Sequence, residues 1–445
     1  MGRETDTIFA LATPPGKSAI AVIRISGDQA AGVPDALAAK CPRPGCFSLQ
    51  TLSDGSGAVI DQALLLFMAA PRSSTGEDVV EIHCHGGVAV TRTLLSVLAS
   101  LSGLRPADAG EFTHRMFHNG KIDLLGAESL ADIIDADTHR QLAQAWSQMR
   151  GALRDPVTAW RQAVIKIAAE LEAVIDFPDE EIPPSVVGSI SEGAKTLIAE
   201  ISGCLNDNRI GEIIRDGVQI TLLGPVNAGK STLLNRIANR PVAIVSDEAG
   251  TTRDLVSVSL DIGGVPVILT DTAGIRQNTG AVEAEGISRA LSAAGDADYT
   301  IIVVDGSSDE WRGEYESLAE IAGPEHILVV NKTDLGIVGM PPANALLMSF
   351  ADDCGFDEFL DHLAAKVVRA NSAHTSAIIT RARHRQALEA TIRGLKAGLA
   401  VSLEQTPELV AEEFRSAATA LGRITGEIDA EDLLESIFSS FCIGK

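Results

Sequence analysis

The run Gly224-Pro225-Val226-Asn227-Ala228-Gly229-Lys230-Ser231 sets two glycines, a lysine and a hydroxyl at the G-x-x-x-x-G-K-[ST] spacing of a phosphate-binding loop. Glycines let the backbone curl until its N–H groups face phosphate oxygens, Lys230 then neutralises the β- and γ-phosphates, and the Ser231 hydroxyl ligates Mg²⁺. Three further motifs follow in order. Gly250-Thr251-Thr252-Arg253-Asp254 offers a threonine to complete the Mg²⁺ shell. In Asp271-Thr272-Ala273-Gly274 the carboxylate holds Mg²⁺ through water, and the Gly274 N–H senses the γ-phosphate. Asn331-Lys332-Thr333-Asp334 reads the base: the Asp334 carboxylate accepts from the N1–H and 2-amino group of guanine. Adenine lacks those donors and would leave a buried carboxylate unpaired. The set predicts a site for GTP and Mg²⁺.

These loops need strands to end on. Apolar runs at 218–223, 265–269 and 327–330 supply them, with a helix expected from Thr232, so residues 217–370 read as alternating strands and helices. Residues 1–119 read as a mixed α/β domain. Strands are expected at 7–12 and 19–25 around Pro14-Pro15-Gly16, then at 62–68 and 79–83, with a helix at 89–101. From about residue 122 the spacing turns helical, at 124–136, 139–153, 157–175 and 187–206. The acidic, proline-interrupted connector 177–184 divides the last two. Helical spacing returns at 381–402, 407–422 and 429–438. Helices on both sides of a nucleotide-binding module predict its insertion into one helical domain rather than two separate helical domains. The expected boundaries are 1–119, 120–216 for the first helical part, 217–370, and 371–445 for the second.

Composition excludes several classes. Among 445 residues, 36 Lys and Arg stand against 60 Asp and Glu, a net charge of −24. A non-specific, charge-driven nucleic-acid binder would be basic, and three Trp with two Tyr leave few platforms for stacking bases. A local basic patch, or a partner supplying positive surface, remains compatible. The longest apolar run, 63–70, is far short of the roughly 18 residues of a membrane span. The N-terminus has no basic-then-apolar signal pattern, so a cytoplasmic protein is expected. Six cysteines in a chain this long make no disulfide framework. In His83-Cys84-His85, alternate residues of a strand face opposite ways, so the triplet reads as a strand entering the turn at Gly86-Gly87 rather than as a metal site.

Ras-like enzymes orient the attacking water with a glutamine after D-x-x-G; Ile275 stands there and offers no hydrogen bond. A partner, or one of the nearby carboxylates Glu283 and Glu285, must substitute. Asn227 in the phosphate loop, Gly250-Thr251-Thr252-Arg253-Asp254, Asp271-Thr272-Ala273-Gly274-Ile275-Arg276 and Phe441-Cys442-Ile443-Gly444-Lys445 together resemble the MnmE (TrmE) family of tRNA-modification GTPases. Thr5-Asp6-Thr7-Ile8, Ala12-Thr13-Pro14-Pro15-Gly16, Arg24-Ile25-Ser26-Gly27, the run from Gly76 to Gly87 and Gly110-Glu111-Phe112-Thr113 extend the resemblance over the whole chain. GTPases of ribosome-assembly type share the Asn-Ala-Gly-Lys-Ser loop and Thr-Thr-Arg-Asp. They carry a KH-type module or a second G domain, and no such motif is present. A scaffold using GTP only structurally would turn over slowly with no K⁺ response.

The resemblance implies an N-terminal α/β folate-binding domain that dimerises, a discontinuous all-α helical domain and an inserted Ras-like P-loop G domain. It implies a homodimer that, with the FAD-dependent partner MnmG (GidA), forms a heterotetramer or larger complex acting on tRNA. The reaction is addition of a (carboxymethyl)aminomethyl group to C5 of the wobble uridine, using a one-carbon unit from 5-formyltetrahydrofolate or a related tetrahydrofolate. GTP hydrolysis drives the conformational cycle. In the family, K⁺ and G-domain pairing replace the missing glutamine and arginine finger. Mapped onto this sequence, K⁺ would take oxygens from Asn227, Ser246, Glu248 and Thr251, and Mg²⁺ from Ser231 and Thr252. The expected GTP contacts are Asn227, Ala228, Gly229, Lys230, Ser231 and Thr232, then Ser246, Thr251 and Thr252, then Asp271, Thr272, Ala273 and Gly274, and finally Asn331, Lys332 and Asp334. The family's catalytic glutamate lies in a Val-Glu-x-x-Gly-Ile run, which selects Glu283.

Arg24, Glu81, Lys121 and Lys445 fall on the folate positions, where a carboxylate facing pterin N–H donors and cations near the folate glutamate tail make chemical sense. Cys442 is a candidate thiolate, and a structural tail is the preferred role for the C-terminal segment. The fifth guanine motif departs from the family's Ser-Ala-Lys, reading Ser349-Phe350-Ala351.

Overall fold

A computed structural model describes residues 6–176, 184–240, 243–244, 256–271, 297–371, 378–402, 405–428 and 444. The described residues fall into two compact units, one drawn from Met1–Ala131, Arg154–Phe177 and Thr406–Lys445, the other from Asp132–Leu153 and Pro178–Gln405.

The first unit holds a six-stranded sheet in the order β3-β4-β5-β2-β1-β6. Its elements are β1 (Thr7–Leu11), β2 (Ser18–Ser26), α1 (Val33–Ala36), β3 (Phe47–Ser53), β4 (Val59–Met68), β5 (Val79–Gly86), α2 (Val88–Ser100), β6 (Leu104–Pro106), α3 (Glu111–His118) and α4 (Leu124–Ile134). Only β1 and β6 pair in parallel; the other neighbours are antiparallel. Period-two alternation sends Ile23, Ile25, Leu65, Phe67, Val80 and Ile82 into one core with Leu94 and Leu98 of α2. Cys84 joins that core and burial pushes its thiol up to about 11, while His83 and His85 of the same strand point the other way. The strand reading of that triplet holds. The unit also contains α6 (Arg154–Asp176) and α13 (Pro407–Thr425), packed along each other. Val157, Trp160, Val164, Ile167 and Leu171 of α6, and Val410, Phe414, Ala417, Leu421 and Ile424 of α13, recur at three- and four-residue steps and are buried.

The second unit holds a seven-stranded sheet in the order β13-β12-β11-β7-β10-β9-β8. Its elements are α5 (His139–Met149), α7 (Pro184–Leu205), α8 (Ile210–Asp216), β7 (Val218–Leu223), α9 (Lys230–Ala238), β8 (Ala243–Ile244), β9 (Val256–Ile262), β10 (Val265–Asp271), β11 (Tyr299–Asp305), α10 (Trp311–Ala322), β12 (Ile327–Asn331), β13 (Leu346–Leu347), α11 (Phe356–Asn371) and α12 (Ala382–Ala400). Strands β13, β12, β11, β7 and β10 run parallel, with β9 and β8 antiparallel at one edge. The parallel strands are apolar at nearly every position because helices cover both faces. Ile301, Val303, Ile327 and Val329 pack with Leu233, Phe359 and Leu363 of α9 and α11. Their neighbours Ile302, Val304, Leu328 and Val330 pack with Trp311 of α10. Helix α7, before the sheet in sequence, packs on α12, after it.

Several elements depart from the sequence reading. Helix α9 begins at Lys230, two residues ahead of the expected Thr232. Strands β3 and β6 and helices α1, α3 and α8 were not foreseen. β3 is an edge strand whose Phe47 and Leu49 are exposed while Leu52, on the opposite face, is buried, so its apolar residues do not mark a single buried face. The expected helix 429–438 lies outside the described residues. No described helix is long and apolar enough to cross a membrane.

The short helix α8 is anchored by charge. Arg385 of α12 donates to Glu212 Oε1 at 2.7 Å, to Asp207 Oδ1 at 2.7 Å and to the Leu205 carbonyl at 3.1 Å. Burial alone would raise the Glu212 carboxyl, but Arg385 and Arg209 outweigh it and hold the group below its ordinary value. Its stabilising contribution is therefore present at neutral pH and is lost as pH falls through the lowered value. Arg385→Met should destabilise the unit by about 3–5 kcal/mol, because it strands two buried carboxylates. Denaturant titration at pH 7 measures this, and the deficit should shrink as the buffer is made acidic.

Candidate functional site

The phosphate loop follows β7, Asp271 ends β10, Asp305 ends β11 and Asn331 ends β12, so all four lie at carboxyl ends of parallel strands. The chain runs from β7 towards β8, β9 and β10 on one side and then crosses to β11 and β12 on the other. Such a switch point opens a crevice outside the strand ends, where α/β sheets bind ligands.

Two glycines shape the loop. Gly224 has φ +152°, and a Cβ there would stand 2.1 Å from the Val303 carbonyl oxygen of β11. Gly229 has φ +107°, and a Cβ there would stand 2.3 Å from Asn331 Nδ2. Asn227 also takes a left-handed conformation, with φ +64°. Helix α9 starts at the next residue after Gly229 and turns its free N–H groups to the loop.

The side chains named from sequence converge here. Lys230 is 5% exposed, and its Nζ donates to the Gly224 and Pro225 carbonyls at 2.6 and 2.7 Å. Those carbonyls hold the ammonium in the loop that a phosphate would occupy. Ser231 Oγ donates to Asp271 Oδ2 at 2.8 Å, which brings the two expected Mg²⁺ groups together from α9 and β10. An adjacent hydroxyl and carboxylate suit a hard, oxygen-seeking cation. Ala228 offers its carbonyl to Asn331 Nδ2 at 2.8 Å, tying the base-reading strand to the phosphate loop. Asn331 is 2% exposed, and its Oδ1 has no hydrogen-bond partner among the described residues. Thr232 follows Ser231 on α9, exposed.

The base-reading loop is fixed from two sides. Lys332, at φ +61°, donates from Nζ to Asp305 Oδ2 at 2.6 Å. Burial would raise the Asp305 carboxyl, but Lys332 and Ser307 hold it below its ordinary value. Ser349 Oγ donates to Asp334 Oδ1 at 2.7 Å, and the Thr333 hydroxyl donates to the Met348 carbonyl at 3.0 Å. Despite its unusual sequence, the fifth motif therefore orients the Asp334 carboxylate, the group expected to read guanine. Phe350 of that motif lies near Arg236, whose guanidinium is 6.0 Å from the ring centroid. Asp305 was not singled out from sequence, although an acidic residue ending an apolar strand before Gly306 is a readable signal. Ser246, Glu248, Thr251, Thr252, Thr272, Ala273, Gly274, Glu283, Cys442 and Lys445 lie outside the described residues.

In the first unit, Arg24 and Glu81 stand opposite each other on β2 and β5, and Arg24 Nε donates to Glu81 Oε1 at 2.9 Å. Glu81 Oε2 is 3.1 Å from His83 Nε2, and Arg24 lies 5.7 Å from the centroid of Phe112. Lys121 donates instead to the Pro71 carbonyl, in the connection between β4 and β5. The tail residue Gly444 lies against β1: a Cβ there would be 2.3 Å from the Leu11 carbonyl oxygen.

Asp334→Asn should lower GDP affinity by roughly 10²-fold and transfer preference to xanthosine diphosphate, because an amide can donate to a 2-oxo group where the carboxylate accepted from a 2-amino group. Titration calorimetry with both nucleotides checks this; unchanged guanine preference would place base reading elsewhere.

The geometry is matched by likeness along the whole chain. The family model of the GTP-binding protein TrmE N-terminus matches residues 7–121, and that of the MnmE helical domain matches residues 124–442. The tRNA modification GTPase MnmE of Parvibaculum lavamentivorans is 48% identical over 99% of this chain and 100% of its own length. Those of Maricaulis maris and Rhodospirillum rubrum are 46% and 42% identical, each over 99% of both chains. With family models spanning both units and relatives this similar from end to end, the chain belongs to the MnmE (TrmE) family of tRNA modification GTPases.

Proposed function

We propose that this chain is a K⁺-dependent GTP hydrolase that, with an FAD-dependent MnmG-type partner, takes part in adding a (carboxymethyl)aminomethyl group to C5 of the wobble uridine of certain tRNAs. The observation that carries the GTPase reading is the cradle itself: Lys230 in the phosphate loop, Ser231 on Asp271, and Asn331 bonded to Ala228. The G domain is read as an insertion between α8 and α12 in the helical part.

Lys230 and the loop N–H groups take the β- and γ-phosphates. Ser231 and Thr252 ligate Mg²⁺, with Asp271 behind them through water. Asn227, Ser246, Glu248 and Thr251 supply oxygens to K⁺, which when bound gives the charge stabilisation of an arginine finger. Glu283 orients the attacking water, in place of the glutamine that Ile275 cannot mimic.

Arg24, Glu81, Lys121 and Lys445 form the proposed site for 5-formyltetrahydrofolate or a related tetrahydrofolate, the source of the one-carbon unit. The Arg24–Glu81 pair supports it, since it sets a carboxylate and a cation side by side on the face of the sheet opposite the core. On β3 and β2, Phe47 is 70%, Leu49 62% and Ile20 61% exposed, and this apolar surface favours a homodimer through the N-terminal domain. The net charge of −24 leaves tRNA binding to a local patch or to the partner's surface. A cytoplasmic setting suits both tRNA and GTP.

Glu283→Ala should retain GTP-analogue affinity and slow hydrolysis by at least about 10²-fold. Normal turnover would mean that another group orients the water. Arg24→Ala should abolish 5-formyltetrahydrofolate binding in titration calorimetry while leaving GTP hydrolysis unchanged; retained binding would move the folate site elsewhere.

A further inference from the structure

β9 and β10 are the strands that carry the two γ-phosphate-sensing segments. β9 begins at Val256, just after Gly250-Thr251-Thr252-Arg253-Asp254, and β10 ends on Asp271, just before Thr272-Ala273-Gly274. They pair without a break from Val265 opposite Ile262 to Asp271 opposite Val256. At 7 residues per strand the ladder is roughly 20 Å long, so its turn, Gly263-Gly264, stands far from the nucleotide crevice.

Helix α5 holds that turn. Thr138, its N-cap, is 3% exposed: its Oγ1 accepts from the Gln141 N–H at 3.2 Å and faces two acceptors, the Gly264 carbonyl at 2.9 Å and Gln141 Oε1 at 3.3 Å, of which the Gly264 carbonyl is the nearer. A Cβ placed on Gly264 would come within 3.2 Å of Arg140 Cβ, so the stem of Arg140 lies against the turn. The same helix grips the entry to the neighbouring strand. Gln141 Nε2 donates to the Arg215 carbonyl at 3.0 Å and Gln144 Nε2 to the Gly211 carbonyl at 3.1 Å, both in α8. Helix α8 leads through Gly217 directly into β7 and the phosphate loop. β7 and β10 are parallel neighbours, with Leu222 beside Asp271. One helix thus fixes the rear ends of two strands whose front ends present the phosphate loop and the Mg²⁺ carboxylate.

We infer that Thr138 and Arg140 are positioning residues for GTP hydrolysis, acting through the β9–β10 hairpin. They set how far the hairpin stands forward along β7, and so the placement of Asp271 against Ser231. The inference rests on the GTPase reading. It predicts a split between binding and chemistry. Affinity for GDP, which lacks the γ-phosphate that the hairpin's front end would meet, depends on the phosphate loop, Asn331 and Asp334, none of which the hairpin carries. Catalysis depends on the hairpin's front end, where a displacement near 1 Å is costly.

The test uses the full chain, with fluorescent-GDP affinity, single-turnover GTP hydrolysis and the thermal midpoint measured together. Thr138→Val keeps shape and removes the hydroxyl; Gly264→Ala drives the turn off Arg140. Each should slow hydrolysis about 10- to 10²-fold while affinity stays within about twofold, and Thr138→Ser should restore the rate. Wild-type rates in Thr138→Val and Gly264→Ala overturn the inference. So does a Thr138→Ser variant as slow as Thr138→Val, or a rate loss that tracks an equal loss of affinity. If Gly264→Ala leaves little folded protein, Thr138→Val and its serine counterpart decide. A wild-type chain that neither binds nor hydrolyses GTP would sink the GTPase reading, and this inference with it.

Discussion

The nucleotide site depends on how closely β12 approaches the phosphate loop. Asn331 reaches the Ala228 carbonyl only because residue 229 carries no side chain, and that one bond joins the end of β12, where base reading is proposed, to the phosphate loop. Pull them apart and a nucleotide could be held at its phosphates or at its base, with no fixed span between. The remaining contacts elaborate this constraint. Lys332 leans on Asp305 at the end of β11, and Ser349 aims Asp334, so the base-reading loop is braced on both flanks. Gly224 lets β7 press against β11 where the loop begins. The parallel strands, buried on both faces, supply the rigid platform that such spacing requires.

The same sheet is tied at its rear to helices distant in sequence. Arg385 binds the start of α8 and the end of α7, and α5 meets both α8 and the hairpin turn. The strand ends that carry the phosphate loop and Asp271 are therefore linked backwards through two strands to packed helices. The proposed conformational cycle would need such a link, since a ligand shifts an equilibrium only through contacts that differ between states.

The motifs and the central strands were readable because their signals are local. Glycine spacing, a lysine beside a hydroxyl and short apolar runs ending in Asp271 and Asn331 all fall within a few residues of one another. Long amphipathic helices such as α6, α7 and α13 were equally plain from their period. Elements that rely on distant partners were not. α8 is only 7 residues long, starts from Arg209 at φ +60° and is held by Arg385, far away in sequence. β3 divides its apolar residues between two faces, Phe47 and Leu49 outward and Leu52 inward, so no single-face period marks it. The pairing of Lys332 with Asp305, the use of Ser349 by the fifth motif and the grip of Thr138 on Gly264 join segments that no sequence window spans. Site assignments carried by family resemblance at Arg24 and Glu81 meet a real cross-strand pair, whereas Lys121 takes a backbone partner in a different connection.

Hydrolysis without a glutamine or an arginine finger needs another source of charge stabilisation at the γ-phosphate. GTP turnover by the purified chain, measured in K⁺ and in Na⁺ buffer at equal ionic strength, addresses that point. A K⁺-specific acceleration approaching the roughly 10³–10⁵ that an arginine finger supplies is the predicted result. Equal, slow rates in both salts would leave the nucleotide cradle intact and contradict cation-assisted hydrolysis.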